Sequence, residues 1–281
     1  MLTLLGEEPM SHVCLPFETH VFETTTFVLR PDVDTTLRWY LTNVRSRSGA
    51  QSQEKAWLPH LQILADILRG LHSLESAGIV HFDVSPQNVV LAEGRAYLTN
   101  LGSACLQSDG DRSVACACLA DTETSLVGSA LRHAPEMFGG TPTGPSCHIW
   151  AAGLILAEAS FGEMPVEIFF RREVSDDGIY AEDHPGGLLS LEIMRMLNEE
   201  ADGREALRDV VRDNFEIDKM GEFADLPGVV QELLLGLLDK DSTTRWTSTE
   251  ALQMVRAAMH EFGGELQPAA SPLRLPSAWA D

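Results

Sequence analysis

From Ala56 to Ala77 the apolar residues fall at Leu61, Leu64, Ile67, Leu68, Leu71 and Leu74. Spacings of three and four put them on one stripe, which predicts one long amphipathic helix. Gly78 follows, where a glycine ends a helix without strain. Residues 12–30 are rich in Val, Phe and Thr without helical period, and predict two short strands. Pro31 to Asp34 breaks the strand, and Thr35 or Thr36 can cap a short helix through Leu37 and Leu41. Residues 45–54 are a polar loop. Val89–Leu91 and Ala96–Leu98 flank Glu93-Gly94 and predict a hairpin. Residues 103–130 and 171–187 predict loops, and Ile149 to Ala159 is apolar on nearly all sides, as in a buried helix. Helical patterns follow at about 188–200, 203–213 and 227–238, then from Thr247 to Phe262 with Thr247 or Ser248 as the cap. The stretch from Gly263, with Pro268, Pro272 and Pro276, predicts a loose end. There is no internal repeat.

The chemistry concentrates in residues 81–88, HFDVSPQN, with Leu98-Thr99-Asn100-Leu101-Gly102 beyond the hairpin. Further on come Gly128-Ser129, then Ala134-Pro135-Glu136, His148-Ile149-Trp150 ahead of Gly153, and Asp239 to Arg245. In this order and spacing the motifs resemble the eukaryotic protein kinase family over about residues 20–262. The resemblance implies an α+β, protein-kinase-like fold, mainly the helical C-lobe with a remnant of the β-rich N-lobe. It divides the chain into partial N-lobe strands at 1–30, hinge and C-lobe at 31–262, and a flexible tail at 263–281.

By the same resemblance Asp83 matches the base that accepts the substrate hydroxyl proton, and Asn88 matches a magnesium-holding asparagine. Asn100 stands where the family carries a metal-binding aspartate, so cofactor and metal contacts fall to Asn88 and Asn100. Glu136 and Arg245 are expected to form a largely buried, architectural ion pair, and His81 to pack in the core. Asp83 and Asn88 also have a plainer reading, because short polar side chains stabilise loops by local hydrogen bonds.

Several positions depart from the family pattern. An amide at Asn100 keeps an oxygen but removes the charge that holds a hard dication. Ser85 replaces a phosphate-contacting lysine, Phe82 an arginine that reads a phosphorylated activation loop, and His148 an aspartate that braces the catalytic loop. Phosphorylation at Ser113, Thr122, Thr124 or Ser125 would find no arginine at position 82. Leu29 to Arg38 resembles the hinge, and the residues before it hold one glycine, Gly6, and no lysine; the first lysine is Lys55. The expectation is a missing half of the small lobe, or a sequence that begins inside a longer gene product. Residues 186–200 resemble the segment that cyclin-dependent and MAP kinases carry before the late arginine.

The resulting expectation is a catalytically impaired pseudokinase acting as a binding or regulatory module. The alternative is an active Ser/Thr protein kinase, truncated in this sequence, that uses ATP and Mg2+; a pseudokinase need bind neither.

Charge narrows the partners. With 42 acidic against 20 basic residues the net charge is −22, which argues against nucleic acid and anionic membranes and permits basic protein partners. Five cysteines in 281 residues do not suggest a disulfide framework, and Cys116-x-Cys118 lacks the further ligands of a zinc site. The first ten residues lack the basic start of a signal peptide, and no run approaches the roughly 20 apolar residues of a membrane span. Free thiols and a cytoplasmic or nuclear location are therefore expected.

Overall fold

The computed structural model describes residues 10–15, 18–22, 25–29, 31–43, 56–107, 130–138, 144–165, 216–270 and 273. The expected features at 45–54, 171–187, 188–200 and 203–213, and most of 103–130, lie outside them. The architecture is α+β.

The fold is built around α2 (Trp57–Ser76), the long helix read from the leucine stripe. It packs against α5 (Ser248–Glu261), β6 (Arg95–Leu98) and α3 (Ser146–Phe161). Leu61, Ile67, Leu68, Leu71 and Leu74 lose all solvent contact in this core. Gly78 ends the helix at φ +68°. Gly70 is required by close approach: a Cβ there would lie 2.7 Å from the His12 carbonyl oxygen. The chain at Ser11–Cys14 can therefore pass directly over α2.

The strands are short. β1 (Glu18–Phe22) and β2 (Thr25–Leu29) pair antiparallel, with Glu18 opposite Leu29. β3 (Thr35–Thr36), β5 (Val89–Ala92) and β6 form a second antiparallel sheet in the order β3-β5-β6. Glu93 and Gly94 make the β5–β6 turn at φ +51° and +73°. Positive φ at both central residues suits the twist of a tight hairpin. β4 (Ile79–Val80) pairs antiparallel with β7 (Cys105–Leu106), and Gln107 N–H donates to the Gly78 carbonyl at 2.7 Å. α1 (Leu37–Asn43) starts where Thr36 Oγ1 accepts from Trp39 N–H at 3.3 Å.

α3 is buried almost all round, as its unbroken apolar run predicts, and Trp150 is fully enclosed. α4 (Gly228–Leu237) packs between α3 and α5. α5 opens with a capping box: Thr247 Oγ1 accepts from Glu250 N–H, and Glu250 Oε2 accepts from Thr247 N–H at 2.8 Å. The Glu136–Arg245 pair is bidentate, at 2.6 and 2.9 Å, and the guanidinium lies 5.2 Å from the centre of the Trp150 ring. No described helix is long and apolar enough to cross a membrane.

Residues 264–270 differ from the loose end expected after Gly263. Arg69 and Arg95 donate to the carbonyls of Gln267 and Pro268, and Ala270 N–H donates to His12 Nε2 at 2.9 Å. Gln267 N–H donates to Gln62 Oε1, and Ser11 Oγ donates to the Ala270 carbonyl. Pro268 disfavours helix here, and the carbonyls of the segment stay bare for these donors. Beneath this strap Asp66 is fully buried, and it accepts from Arg95, Gln62, Arg69 and the Ala96 N–H.

Cys105 is disulfide-bonded, against the expectation of free thiols throughout; Cys14 and Cys147 are not in disulfides. A sequence with five scattered cysteines gives no spacing from which one such bond could be read.

Candidate active site around Asp83 and Asn88

The loop from His81 to Asn88 leaves β4, closes in a 3-10 turn at Pro86–Asn88 and runs into β5. His81 is fully buried and organises it. The ring Nδ1 accepts from Asp83 N–H at 3.3 Å, so Nε2 carries the hydrogen and donates to the Thr99 carbonyl at 3.0 Å. This is the core role expected for His81. Burial lowers its pKa, so the ring stays neutral.

From α3, His148 Nε2 accepts from the His81 backbone N–H at 2.6 Å. A neutral imidazole thus braces the loop where the family places a carboxylate. Burial, and secondarily the nearby His81, press the His148 pKa down to about 3. The sign follows from proton linkage: the unfolded ring titrates near 6.5 and the folded ring does not. Its stabilising contribution is complete above pH 6.5 and is lost as pH falls from there towards 3. Between pH 7 and 5 the protein is expected to lose about 2 kcal/mol through His148. Urea unfolding at both pH values reads this. The slope with pH should flatten in His148→Asn, although His12 and His81, also lowered by burial, keep part of it.

Phe82 is buried at φ +60°, a left-handed conformation that a bulky residue rarely adopts. It turns the chain so that Asp83 faces outward, half-buried, while Val84 and Ser85 face the core. Ser85, at the position of the family's lysine, is buried and presents no charge.

The three residues expected to carry the chemistry meet in one line. Asn100 Nδ2 donates to Asn88 Oδ1 at 3.0 Å, and Asn88 Nδ2 donates to Asp83 Oδ2 at 2.7 Å and to the Asp83 carbonyl at 2.8 Å. Asn100 itself sits at φ +63°, a conformation asparagine tolerates well. The line is a poor cage for magnesium. Magnesium demands near-octahedral oxygen ligands, usually including carboxylates. Here Asn88 has one side-chain oxygen, and it accepts from Asn100. Among the described residues no group of three His, Cys, Asp or Glu side chains could hold a metal ion. Towards a dication the line offers one carboxylate, Asp83, with neutral amides at Asn88 and Asn100.

Sequence reasoning missed the ion cluster beside the site. Glu158 is buried in α3 and accepts from Arg132 and, at 2.5 Å, from Arg38 Nη1 on α1. A signal existed: Glu158 is the single charge within the apolar run from Ile149 to Ala159. Cys147, beside the Glu136–Arg245 pair, is buried, and that burial pushes its thiol far up, so it is inert as a nucleophile.

Comparison with known proteins fits this geometry. The family model described as a protein kinase domain matches residues 39–255. The chain is 33% identical over 104 residues to the serine/threonine-protein kinase STE20 of Eremothecium gossypii, covering 36% of this chain and 10% of that protein. It is 31% identical over 128 residues to mitogen-activated protein kinase kinase kinase 17 of Arabidopsis thaliana, covering 44% and 30%. It is 32% identical over 119 residues to serine/threonine-protein kinase 16 of Rattus norvegicus, covering 40% and 38%. The matches thus span well under half the length of each of these relatives. With the family model covering most of its length, and with the loop, the hairpin and the Glu136–Arg245 pair in family order, the chain belongs to the protein kinase domain family.

Proposed function

We propose that this domain is a pseudokinase: a kinase fold that binds or regulates a protein partner, with phosphoryl transfer impaired. One observation carries the reading, the closed line Asn100–Asn88–Asp83. The groups expected to face metal and substrate hydrogen-bond one another instead. The buried Ser85 supports it, because no cation stands there for a transferred phosphate. Kinase catalysis consists mainly of positioning and charge stabilisation, and each lost electrostatic donor costs on the order of 10²–10³ in rate. The net charge of −22 favours a basic face on the partner, which is unidentified, in the cytoplasm or nucleus.

Thermal unfolding with ATP, with and without magnesium, tests the proposal. A ligand at 100 times its dissociation constant would add about 2.7 kcal/mol of stability. The expected outcome is no magnesium-dependent gain. A second reading, an active Ser/Thr kinase using ATP and Mg2+, draws on the half-buried Asp83 carboxylate, which keeps the family's place and its asparagine neighbour. A magnesium-dependent gain together with phosphate transfer abolished by Asp83→Ala would establish that reading and remove the first.

A further inference from the structure

A pocket of about 10 Å³ opens where the loop at Asp83, the turn carrying Arg132 and the start of α3 at His148 meet. That is room for about one water molecule. Arg132 and His148 are 5% and 1% exposed, and each holds a buried nitrogen without a hydrogen-bond partner: Nη1 of Arg132 and Nδ1 of His148. Buried polar groups are rarely left so.

Both side chains are fixed by their other nitrogens. Arg132 Nη2 is tied to Glu158, and His148 Nε2 accepts from His81 N–H. Because Nε2 accepts, the neutral His148 ring carries its hydrogen on Nδ1. Arg132 Nη1 can only donate. The two unmatched groups are therefore both donors, and whatever joins them must accept. Asp83 lines the same pocket. Its carboxylate repels an anion and offers an acceptor to the hydrogens of a neutral ligand.

We propose that a single buried water sits in this pocket, accepting from Arg132 Nη1 and His148 Nδ1 and donating towards Asp83. About three hydrogen bonds is the usual complement of a buried water. The water joins the catalytic loop, the 130–138 segment and α3, and it makes Arg132 and His148 positioning residues for Asp83. The loop is then ordered from inside the fold, with neither nucleotide nor metal. The proposal stands whichever way the question of phosphoryl transfer is resolved.

A high-resolution crystal structure of the chain, grown in sodium bromide, reads the site directly. The expected result is one oxygen-sized peak within about 3.2 Å of both nitrogens, without bromine anomalous signal. A bromide peak there would replace the water by an anion and overturn the proposal, as would the absence of any peak in reach of both nitrogens. Amide hydrogen exchange in Arg132→Met tests the positioning role. That variant removes the guanidinium and leaves Glu158 paired with Arg38. The ratio of exchange rates at residues 82–84 to those in α5 should rise about tenfold, a local effect that uniform destabilisation does not produce. An unchanged ratio refutes positioning by Arg132.

Discussion

Arg245→Met is expected to lower the unfolding free energy by about 3–5 kcal/mol, the range for breaking a buried ion pair from one side. The side chain is fully buried, and every nitrogen of its guanidinium has a partner. Nε donates to the Asp239 carbonyl at 2.7 Å, Nη1 to Glu136 and to the Ser146 carbonyl at 2.9 Å, and Nη2 to the second Glu136 oxygen. Methionine keeps an apolar stem but takes the guanidinium away from Glu136, which is only 12% exposed and retains Ser146 Oγ as a neutral donor at 3.4 Å. Most of the cost is that this carboxylate loses its balancing charge in a largely buried place, and only a minor part is the lost contact. The double variant Glu136→Met with Arg245→Met should therefore recover much of the loss. Urea unfolding of the two single variants and the double gives the coupling. A single-variant cost below about 1 kcal/mol, the range of exposed pairs, would show that the pair is not architectural.

Asp66→Ala is expected to be of similar size, about 3–5 kcal/mol by the same rule. Here one fully buried carboxylate gathers two arginines, a glutamine and a backbone amide. Its removal leaves Arg95 and the Ala96 N–H without their acceptor, and Arg95 is also one of the donors that hold the strap at Pro268. The loss should appear in two places: in global unfolding, and in faster exchange of the Gln267 and Ala270 amides, which are bonded to Gln62 and His12. If the global cost appears with the strap amides still protected, Asp66 supports α2 and β6 but does not hold the strap.

Much of the fold was legible because its signals are local. The α2 stripe gave a helix to within a residue at each end, and Glu93-Gly94 gave the hairpin turn. The helix expected at 227–238 is α4, and the one from Thr247 is α5 with its cap in place. The Glu136–Arg245 pair came from family spacing, since nothing local marks it. The catalytic loop was legible as a motif, but its internal wiring was not. That His148 serves as a hydrogen-bond acceptor, and that Asn100 closes on Asn88, depend on which ring or amide atom points where. The strap at 264–270 escaped because its bonds are made by backbone carbonyls and amides to residues about 200 or more positions away, which leave no periodicity in the side chains. Asp66 and Gln62 carry no sign of burial in the sequence, because the segment that covers them comes from far along the chain.

The distance between the partners of the strap bears on how the protein is made. His12 and Ala270 are bonded across 258 positions of sequence. Contacts of such long range form late, because the chain between them must be ordered first. During synthesis α2 and the β5–β6 hairpin leave the ribosome long before residues 264–270 exist. Until those residues arrive, donors of Arg69 and Arg95 and the accepting nitrogen of His12 lack the backbone groups that complete them. The nascent lobe is thus a nearly finished core with an uncovered polar seam, a state that invites holding by chaperones, and the emergence of residues 264–270 is the step that closes it.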